Sequence, residues 1–370
     1  MKAHYVMIGG FLGAGKTTAA LALAAHLARD GRRAGVITND QSSGLVDTAM
    51  AAAGGFSVEE VAGGCFCCRF NSLVEAAERL TAAALPDVFI AEPVGSCTDL
   101  KATVAYPLRR MYGDDYTIAP LSVVVDPLRA LRVLGIEPGR SFSSKVLYIY
   151  GKQLEEADLI VLNKQDLVDR ARGAALRAAV AERYHRAEIF EISARDGIGL
   201  ESWFARMLST PAEPTSAPEL DYGRYGEGEA LLGWLNGLIR VWGAGAEIDG
   251  NAFLLDFARR VQRQLAADGV EVAHLKLTLT EGDDGADLAV ANLVGTDRTA
   301  ELSHALGAPI GEGEMLVNLR AEADPDLLRR RLLETVGSYE ATAGAPQLQL
   351  AHVESFRPAQ PTPTHRLAGV

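Results

Sequence analysis

Residues 10–18 read Gly-Phe-Leu-Gly-Ala-Gly-Lys-Thr-Thr, and this stretch decides the fold. Two glycines flank four free positions and are followed by Lys16 and Thr17, which is the P-loop pattern. The apolar run at residues 3–8 predicts a buried strand, and the Ala- and Leu-rich run at residues 17–28 predicts a helix. A strand, a glycine-rich turn and a helix in this order predict a nucleotide-binding α/β domain.

This loop would bind the phosphates of a nucleotide through its backbone. Glycines allow the chain to close around phosphate oxygens, and the positive end of the following helix favours negative charge there. Lys16 would reach the β- and γ-phosphates and take part in catalysis, and the Thr17 hydroxyl would bind Mg²⁺. The candidate nucleotide-binding residues of the loop are Gly10, Gly13, Ala14, Gly15, Lys16, Thr17 and Thr18.

Composition and charge argue against several classes of protein. The chain has 370 residues, 48% of them hydrophobic, which is enough for two domains with their own cores. The net charge of −12 argues against nonspecific binding to nucleic acid. No apolar run approaches the length of a membrane span, and residues 1–10 are too short for a signal peptide. We therefore expect a cytoplasmic protein with no nucleic-acid or membrane partner, whose thiols stay reduced.

Two further strands are predicted to lead into acidic residues at the same edge of the sheet. The run at residues 34–38 leads into a polar loop that contains Asp40, and the run at residues 87–91 leads into Glu92. Because ligands of open α/β sheets bind at this edge, Asp40 is a candidate for the magnesium shell or for positioning the attacking water. An ordinary turn residue is the alternative for Asp40. Glu92 occupies the Walker B position and would hold Mg²⁺, and Gly95 would let the backbone approach the γ-phosphate.

Three of the four cysteines are clustered: Cys65, Cys67 and Cys68 lie in the segment Gly-Gly-Cys-Phe-Cys-Cys. In an extended segment Cys68 would face away from the other two, so a turn is needed to bring the three sulfurs together. Thiolates suit soft or borderline ions such as Zn²⁺ and Cu(I), and a tetrahedral site needs a fourth ligand. A set of small buried residues is the alternative. Cys97 is either that fourth ligand or an ordinary small residue of the next helix.

A second motif predicts which base is bound. Residues 163–166 read Asn-Lys-Gln-Asp after an apolar run at residues 158–162, which is the NKxD pattern of guanine-nucleotide proteins. The carboxylate of Asp166 would accept the N1–H and N2–H donors of guanine, which adenine lacks in that arrangement. Asn163 would tie this base loop to the P-loop, and the stem of Lys164 would cover the base. Ser193 and Ala194, after a further predicted strand, match the loop whose backbone N–H supports the guanine O6 in such proteins.

The rest of the sequence predicts a second, smaller domain. Residues 209–219 contain three prolines among polar residues and predict an extended linker after a P-loop domain at residues 1–208. Residues 220–340 predict an α+β domain with strands near 230–241, 272–280, 287–294 and 314–319 and helices near 252–267 and 325–336. Residues 341–370 contain four prolines and predict an extended tail. The predicted fold class is α/β, a P-loop NTPase domain with a mostly parallel sheet, followed by this α+β domain.

These motifs together resemble the CobW-like GTPases, relatives of the HypB and UreG metallochaperones in the SIMIBI class. The resemblance rests on the P-loop, the Gly-Gly-Cys-Phe-Cys-Cys segment, Glu92-Pro-Val-Gly95 and the Asn-Lys-Gln-Asp loop, in that order over roughly residues 1 to 208. It implies hydrolysis of GTP to GDP and phosphate with Mg²⁺. It also implies that Cys65, Cys67 and Cys68 bind a metal such as zinc or cobalt for delivery to a client metalloprotein, with a homodimer as one arrangement.

Two other functions remain open on the sequence alone. The protein could be a GTP-gated assembly or activation factor for a corrinoid or other metal-dependent enzyme, without carrying metal itself, in which case the thiols would be structural. A P-loop kinase for a small molecule is the third possibility, and the Asn-Lys-Gln-Asp loop argues against it. Pro93 and Val94 stand where the CobW-like family usually has small hydroxyl residues, and the sequence has no His-rich tract.

Overall fold

The computed structural model describes residues 2–39, 46–209, 211, 216–243, 245–281 and 287–368. The chain divides into two compact units. The first unit runs up to Gly228 and also includes the residues from Gln360 onwards, and the second comprises Glu229–Ala359.

The first unit is built on a parallel sheet. Its strands are β1 (Ala3–Gly9), β2 (Ala34–Asn39), β3 (Ser57–Val61), β4 (Val88–Glu92), β5 (Tyr116–Ile118), β6 (Ser122–Val125), β7 (Leu159–Leu162) and β8 (Glu188–Glu191). They pair in the order β3-β2-β4-β1-β6-β7-β8, with β5 also beside β1, and each of these pairs is parallel. Strands β4, β6 and β7 are buried along their whole length, which is why they read as continuous apolar runs.

Helices lie between these strands and after the last of them. They are α1 (Lys16–Arg29), α2 (Val46–Ala53), α3 (Phe70–Ala84), α4 (Tyr106–Tyr112), α5 (Pro127–Val133), α6 (Ser144–Glu156), α7 (Arg170–Arg183), α8 (Leu200–Ser209) and α9 (Tyr222–Leu231). A π-helical turn at Lys101–Ala105 precedes α4, and a 3₁₀ turn at Gln165–Leu167 follows β7. The carboxyl ends of β1, β2, β4, β6 and β7 meet at one edge of the sheet, so the loops that follow these strands lie near one another.

Most strands of this sheet lie where the sequence predicts them. The apolar runs at residues 3–8, 34–38, 87–91 and 158–162 correspond to β1, β2, β4 and β7, and the strand predicted before Ser193 corresponds to β8. Residues 121–125, a further apolar run that predicts a strand, correspond to β6. Strands β3 and β5 were not predicted. β3 reads Ser-Val-Glu-Glu-Val and lies at the edge of the sheet with little of it buried, and β5 has only three residues, so neither shows a strong apolar pattern.

The second unit contains an antiparallel sheet with two helices. Its elements are β9 (Leu232–Trp242), α10 (Gly250–Ala267), β10 (Glu271–Thr280), β11 (Leu288–Leu293), β12 (Glu301–His304), β13 (Glu312–Glu322), α11 (Pro325–Glu340) and β14 (Gln347–Phe356). The strands pair antiparallel in the order β12-β11-β10-β13-β9-β14. Phe257 of α10 and Leu332 of α11 belong to the core against this sheet. The predicted fold class, a P-loop domain followed by a smaller α+β domain, is confirmed.

Strands β12 and β14 are absent from the sequence-based prediction. Residues 347–356, which the sequence analysis placed in the extended tail, pair with β9 as β14. Their apolar and polar residues alternate, as in a half-buried strand, and the flanking Pro346 and Pro358 lie outside it. The pairing of β10 with β11 agrees with the predicted hairpin, whose turn at residues 282–286 lies outside the described residues.

The core of the first unit lies between the sheet and its helices. Ile8 of β1 and Leu23 of α1 are fully buried there with Trp203 of α8, whose indole N–H donates to Ser122 Oγ at 3.0 Å. In the described part of the chain, no helix is both long and apolar enough to cross a membrane.

Candidate nucleotide and metal site

The P-loop leaves β1 and enters α1 through left-handed backbone. Gly10, Gly13 and Gly15 all have positive φ angles, of 130°, 76° and 94°. A Cβ atom at Gly15 would lie 2.5 Å from Asn163 Nδ2, so this position has no room for a side chain. The first N–H groups of α1 have no intrahelical partner, and Gly15 at the N-cap has no side chain to accept them, which leaves them for an anion.

Three successive carbonyl groups of the P-loop are held by side chains from other loops. The Arg129 guanidinium donates to the Leu12 carbonyl, Lys164 Nζ donates to the Gly13 carbonyl at 2.6 Å, and Asn163 Nδ2 donates to the Ala14 carbonyl at 3.0 Å. These bonds fix the loop without using its N–H groups. The expected tie between Asn163 and the P-loop is therefore present, whereas the role of Arg129 was not predicted.

Asp126 holds two of these cations in place. Its carboxylate accepts Lys164 Nζ at 2.7 Å and the Arg129 backbone N–H at 2.9 Å. Burial raises the pKa of Asp126, but the Lys164 and Arg129 charges outweigh it and lower the pKa to about 2. The guanidinium of Arg129 also lies 5.3 Å from the ring centroids of Phe11 and Phe142, which packs it against the P-loop. The sequence showed only an Asp-Pro pair after a strand, which is also a common helix start.

Oxygen atoms from three elements meet beside the P-loop. Thr17 Oγ1 donates to Asp47 Oδ1 at 2.7 Å and lies 3.0 Å from Glu92 Oε1, and Lys16 Nζ lies 3.7 Å from the same Glu92 oxygen. Carboxylate and hydroxyl oxygens are the ligands that Mg²⁺ prefers. Asp47, in the first turn of α2, was missed because a single Asp before an Ala-rich helix gives no distinctive signal. Asp40 lies outside the described residues.

The base loop is held in a defined shape. Lys164 has a positive φ of 54°, and Asn163 Oδ1 accepts the Ala194 N–H at 2.9 Å. Ser193 Oγ donates to Asp166 Oδ1 at 2.7 Å and lies 3.0 Å from Asp196 Oδ2. The structure thus brings the residues that the sequence assigned to base recognition to one place, next to the P-loop.

The three clustered cysteines lie on the turn between β3 and α3. The sulfur of Cys65 is 2.8 Å from that of Cys67 and 3.0 Å from that of Cys68, and the last two sulfurs are 3.7 Å apart. Cys65 and Cys67 are buried and Cys68 is half-buried. The turn that the sequence required is closed by the N–H groups of Cys68 and Arg69, which donate to the Cys65 carbonyl at 3.0 and 2.9 Å.

Asn39, at the end of β2, holds this cysteine turn through three hydrogen bonds. Its Nδ2 donates to the Val61 carbonyl at 2.8 Å and the Gly64 carbonyl at 2.7 Å, and its Oδ1 accepts the Phe66 N–H at 2.9 Å. In the sequence, Asn39 is only the first residue of the polar loop that contains Asp40. The bonds span 22 to 27 residues of sequence, so no local pattern could reveal them.

Comparison with known proteins identifies the family. The model of the nucleotide-binding domain described as CobW/HypB/UreG matches residues 4–191, just over half of the 370 residues. The chain belongs to the CobW/HypB/UreG family. The matched part contains the P-loop, the cysteine turn, Glu92 and the base loop, and it ends with β8.

Two curated relatives are similar to parts of this family member. The zinc chaperone YeiR of Escherichia coli K12 is 31% identical over 163 residues, 43% of this chain and 46% of YeiR. The zinc chaperone CobW of Sinorhizobium sp. is 30% identical over 210 residues, 49% of this chain and 56% of that protein. The matches thus span about half the length of each relative. Among solved structures, Zn(II)-bound YjiA GTPase from E. coli is 14% identical, with a TM-score of 0.38 over 90% of this chain and 99% of that one.

The three thiols of the cysteine turn differ in pKa in this CobW/HypB/UreG member. Hydrogen bonds from Cys67 and Cys68 lower the pKa of Cys65 well below its usual value. The same hydrogen bonds raise the pKa of the other two thiols, that of Cys68 to about 11. One thiolate therefore forms readily, and the remaining thiols lose their protons only when a cation replaces them.

The cysteine turn fits a tetrahedral metal ion. The three sulfur atoms lie within 4.8 Å of one another. Zinc–thiolate bonds of about 2.3 Å place neighbouring sulfurs about 3.8 Å apart in a tetrahedron. The sulfurs would need to separate by about 1 Å or less from their present distances of 2.8 to 3.7 Å.

The C-terminal strap, residues 360–368, covers one side of the cysteine turn. The Thr362 N–H donates to the Cys68 sulfur at 3.3 Å, and the Thr364 N–H donates to the Cys67 carbonyl at 2.9 Å. Further along, Arg366 pairs with the buried carboxylate of Asp99 at 2.8 Å. In the sequence, this segment belongs to the predicted extended tail, and no residue in it indicates a contact with the cysteines about 294 residues earlier.

Proposed function

We propose that this protein is a Mg²⁺-dependent GTPase that hydrolyses GTP to GDP and phosphate and uses the nucleotide to control a metal ion. The ion would be Zn²⁺ or Co²⁺, bound at the cysteine turn and delivered to a client protein. Membership of the CobW/HypB/UreG family and the similarity to two zinc chaperones support this proposal. A cluster of three thiols, on a turn that Asn39 joins to the end of β2, supports it independently.

The nucleotide would be held by residues from four loops. The P-loop residues Gly10 to Thr18 would bind the phosphates, with Gly95 near the γ-phosphate, and Asp166 with the Ser193–Ala194 loop would read guanine. Thr17, Asp47 and Glu92 would hold Mg²⁺, which supplies charge stabilisation for the phosphoryl group when bound. Lys16 would bind the β- and γ-phosphates, and Asp40 remains a prediction for positioning water.

The hydrogen bonds of Asn39 are the main support for a link between the nucleotide half and the metal half of the proposed site. It ends β2, at the sheet edge where the nucleotide would bind, and its three hydrogen bonds reach the turn that carries the cysteines. A shift of this strand end between GTP and GDP would therefore move the thiols. By linkage, metal binding must change the affinity for GTP by the same factor as GTP changes the affinity for metal.

Metal titration tests this coupling. Wild type, the triple variant Cys65→Ser, Cys67→Ser, Cys68→Ser and the variant Lys16→Ala would be titrated with Zn²⁺ in the presence of GDP or a non-hydrolysable GTP analogue. Wild type should bind one ion with different affinity in the two nucleotide states. The triple variant should lose binding, and Lys16→Ala should bind the ion without responding to nucleotide.

Two outcomes would reject the proposal in different ways. Metal binding by the triple variant at wild-type affinity would mean that the cysteine turn is not the site. Equal metal affinity in both nucleotide states would show that the nucleotide does not control metal binding. It would favour a GTP-gated assembly factor that carries no metal.

Turnover tests the role of Glu92. Glu92→Gln should hydrolyse GTP more slowly while still binding it, because the carboxylate that faces Lys16 and Thr17 loses its charge. Wild-type turnover without a partner should itself be slow, roughly 10⁻⁴ to 10⁻² per second, as in GTPases without an arginine finger in trans. The exposed Glu75→Gln on α3 is the matched control. A wild-type rate for Glu92→Gln in a phosphate-release assay would contradict the assignment.

A further inference from the structure

Cys97 lies close to the cysteine turn although it belongs to a different part of the sheet. It follows β4 by five residues, on the loop that starts at Glu92, and its side chain is 2% exposed. Its thiol hydrogen-bonds with those of Cys65 and Cys67. Cys97 therefore contacts two of the three clustered thiols, although it lies 29 residues beyond Cys68 in the sequence. The sulfurs that all lie within 4.8 Å of one another are those of Cys65, Cys67 and Cys68.

Hydrogen bonds to its backbone hold the loop that carries Cys97. The Cys97 N–H donates to the Val94 carbonyl at 2.9 Å. Gln153 Nε2, from α6, donates to the Cys97 carbonyl at 2.8 Å and to the Gly95 carbonyl at 3.0 Å. Because Gln153 is itself buried, these bonds fix the direction in which the Cys97 side chain leaves the loop.

We propose that Cys97 is the fourth ligand of the metal ion, so that the site is a closed four-thiolate site. This inference rests on the proposed metal binding and extends it by one residue on another loop. The binding step exchanges protons for the ion: M²⁺ forms four bonds to sulfur, each remaining thiol proton passes to solvent, and no electron is transferred. Tetrahedral sites with four thiolates favour Zn²⁺ and other ions that accept soft ligands.

The surroundings of the cluster suit the resulting negative charge. Four thiolates around a divalent ion carry a net charge of −2, which needs donors nearby. The Thr362 N–H already donates to the Cys68 sulfur at 3.3 Å. The positive end of α3 begins at Phe70, two residues after Cys68, and adds further positive potential.

A ligand at this position also joins the metal directly to the nucleotide loops. Gly95 packs on Leu12 of the P-loop, and a Cβ atom at Gly95 would lie 2.8 Å from Leu12 Cδ2. Gln153 joins Gly95 to Cys97 through the two hydrogen bonds described above. A movement of the P-loop against Gly95 would therefore displace one of the four ligands, which converts a closed site into one with an open position for a client's ligand.

Co²⁺ titration of the metal-free full chain without nucleotide, under reducing and anaerobic conditions, tests this inference. Wild type should show the visible bands of tetrahedral Co²⁺ and strong sulfur-to-cobalt charge transfer. Cys97→Ser should lose about one quarter of the charge-transfer absorption per ion, since one of four thiolates is gone, and roughly tenfold to 100-fold in affinity. Ser96→Ala, the change of a buried neighbour whose hydroxyl has no hydrogen-bond partner, should match wild type.

The outcomes separate this inference from the proposed function. Suppose that Cys97→Ser keeps the full charge-transfer absorption and affinity, while the triple variant of Cys65, Cys67 and Cys68 no longer binds Co²⁺. This result would reject Cys97 as the fourth ligand and leave the metal site itself in place. Binding by the triple variant would instead reject the metal site itself. If Cys97→Ser does not fold, X-ray absorption of zinc-loaded wild type decides the question: four sulfur neighbours support Cys97, and three sulfurs with a lighter atom overturn it.

Discussion

Asn39 shows how a single amide can hold a turn that is distant in the sequence. Its side chain uses both donor hydrogens and its oxygen on backbone groups of the cysteine turn. Since these groups are largely buried, an unsatisfied partner would cost free energy comparable to a lost hydrogen bond. The geometry of the thiols therefore depends on a residue outside the cysteine turn.

Asn39→Asp should separate this positioning role from metal ligation. A carboxylate would face the Val61 and Gly64 carbonyls without a proton to donate, which we expect to lower the free energy of unfolding by about 1 to 3 kcal/mol. Zn²⁺ affinity should fall while the number of thiols that react in the unfolded chain stays the same. Chemical denaturation and metal titration measure the two effects. The exposed Asn71→Asp on α3 is the control, and equal behaviour of both variants would contradict the role of Asn39.

Asp166 is the residue on which nucleotide choice should depend. GTP should bind in preference to ATP by roughly 10⁴-fold or more, because adenine would leave the carboxylate without its donors. Asp166→Asn should shift the preference towards xanthine nucleotide, whose C2 carbonyl can accept from the new amide. Competition titrations with GTP, ATP and XTP check this, with Glu182→Gln on the exposed side of α7 as the control. Comparable binding of ATP and GTP by wild type would refute the assignment.

At the scale of elements, the C-terminal strap covers the cysteine turn through its backbone rather than its side chains. The donor to the Cys68 sulfur is the N–H of Thr362, which stands between Pro361 and Pro363. Because neither proline has an N–H, no immediate neighbour can replace this donor. Prolines on both sides also keep the segment extended, which limits the conformational entropy lost when it docks.

Thr362→Pro removes that N–H donor, together with the Thr362 hydroxyl that donates to the Gln360 carbonyl at 3.4 Å. The N–H of Thr362 lowers the pKa of Cys68, so its loss should raise that pKa further above about 11. A hydrogen bond to a charged acceptor contributes about 1.5 to 3 kcal/mol, so zinc should pass to a chelator roughly tenfold faster or more. Thr362→Ala keeps the N–H and is the matched control. Equal transfer rates for the two variants in a chelator competition would show that the hydrogen bond does not hold the ion.

At the scale of the whole molecule, a buried carboxyl group in α6 makes the free energy of unfolding depend on pH. Glu156, at the end of α6, is 2% exposed, and burial raises its pKa to about 8. The carboxyl accepts the Thr98 hydroxyl at 3.0 Å and the Lys101 N–H at 3.2 Å, with Asp99 as the facing negative charge and the Lys101 ammonium as the positive one. The folded protein therefore retains a proton that the unfolded chain has released.

The sign of the effect follows from that proton. Its contribution to stability is complete below the ordinary pKa of 4.5 and is lost as the pH rises through about 8. Within this window the free energy of unfolding should fall by up to about 1.4 kcal/mol per pH unit. Glu156→Gln should remove this dependence, and the exposed neighbour Glu155→Gln should retain it. Denaturant unfolding between pH 5 and 9 measures it, and parallel pH profiles for Glu156→Gln and wild type would contradict the assignment.

The sequence by itself determined the parts of the protein that depend on local chemistry. The P-loop needs glycines at positive φ followed by Lys16 and Thr17, the buried parallel strands need continuous apolar runs, and the base loop needs Asn163 and Asp166 in fixed spacing. Each of these patterns lies within a few residues of sequence, so it can be recognised without knowledge of the fold. The clustering of Cys65, Cys67 and Cys68 was visible for the same reason.

Only the tertiary structure decided which distant residues complete these sites. Asp47 beside Thr17, Asn39 at the cysteine turn, Cys97 beside Cys65 and the strap over Cys68 all act across gaps in the sequence, up to 294 residues for the strap. A lone Asp, Asn or Cys occurs in many local environments, so its residue type does not reveal which distant residue it contacts. The parallel sheet supplies that information, because it brings the carboxyl ends of strands that are far apart in the sequence to one edge.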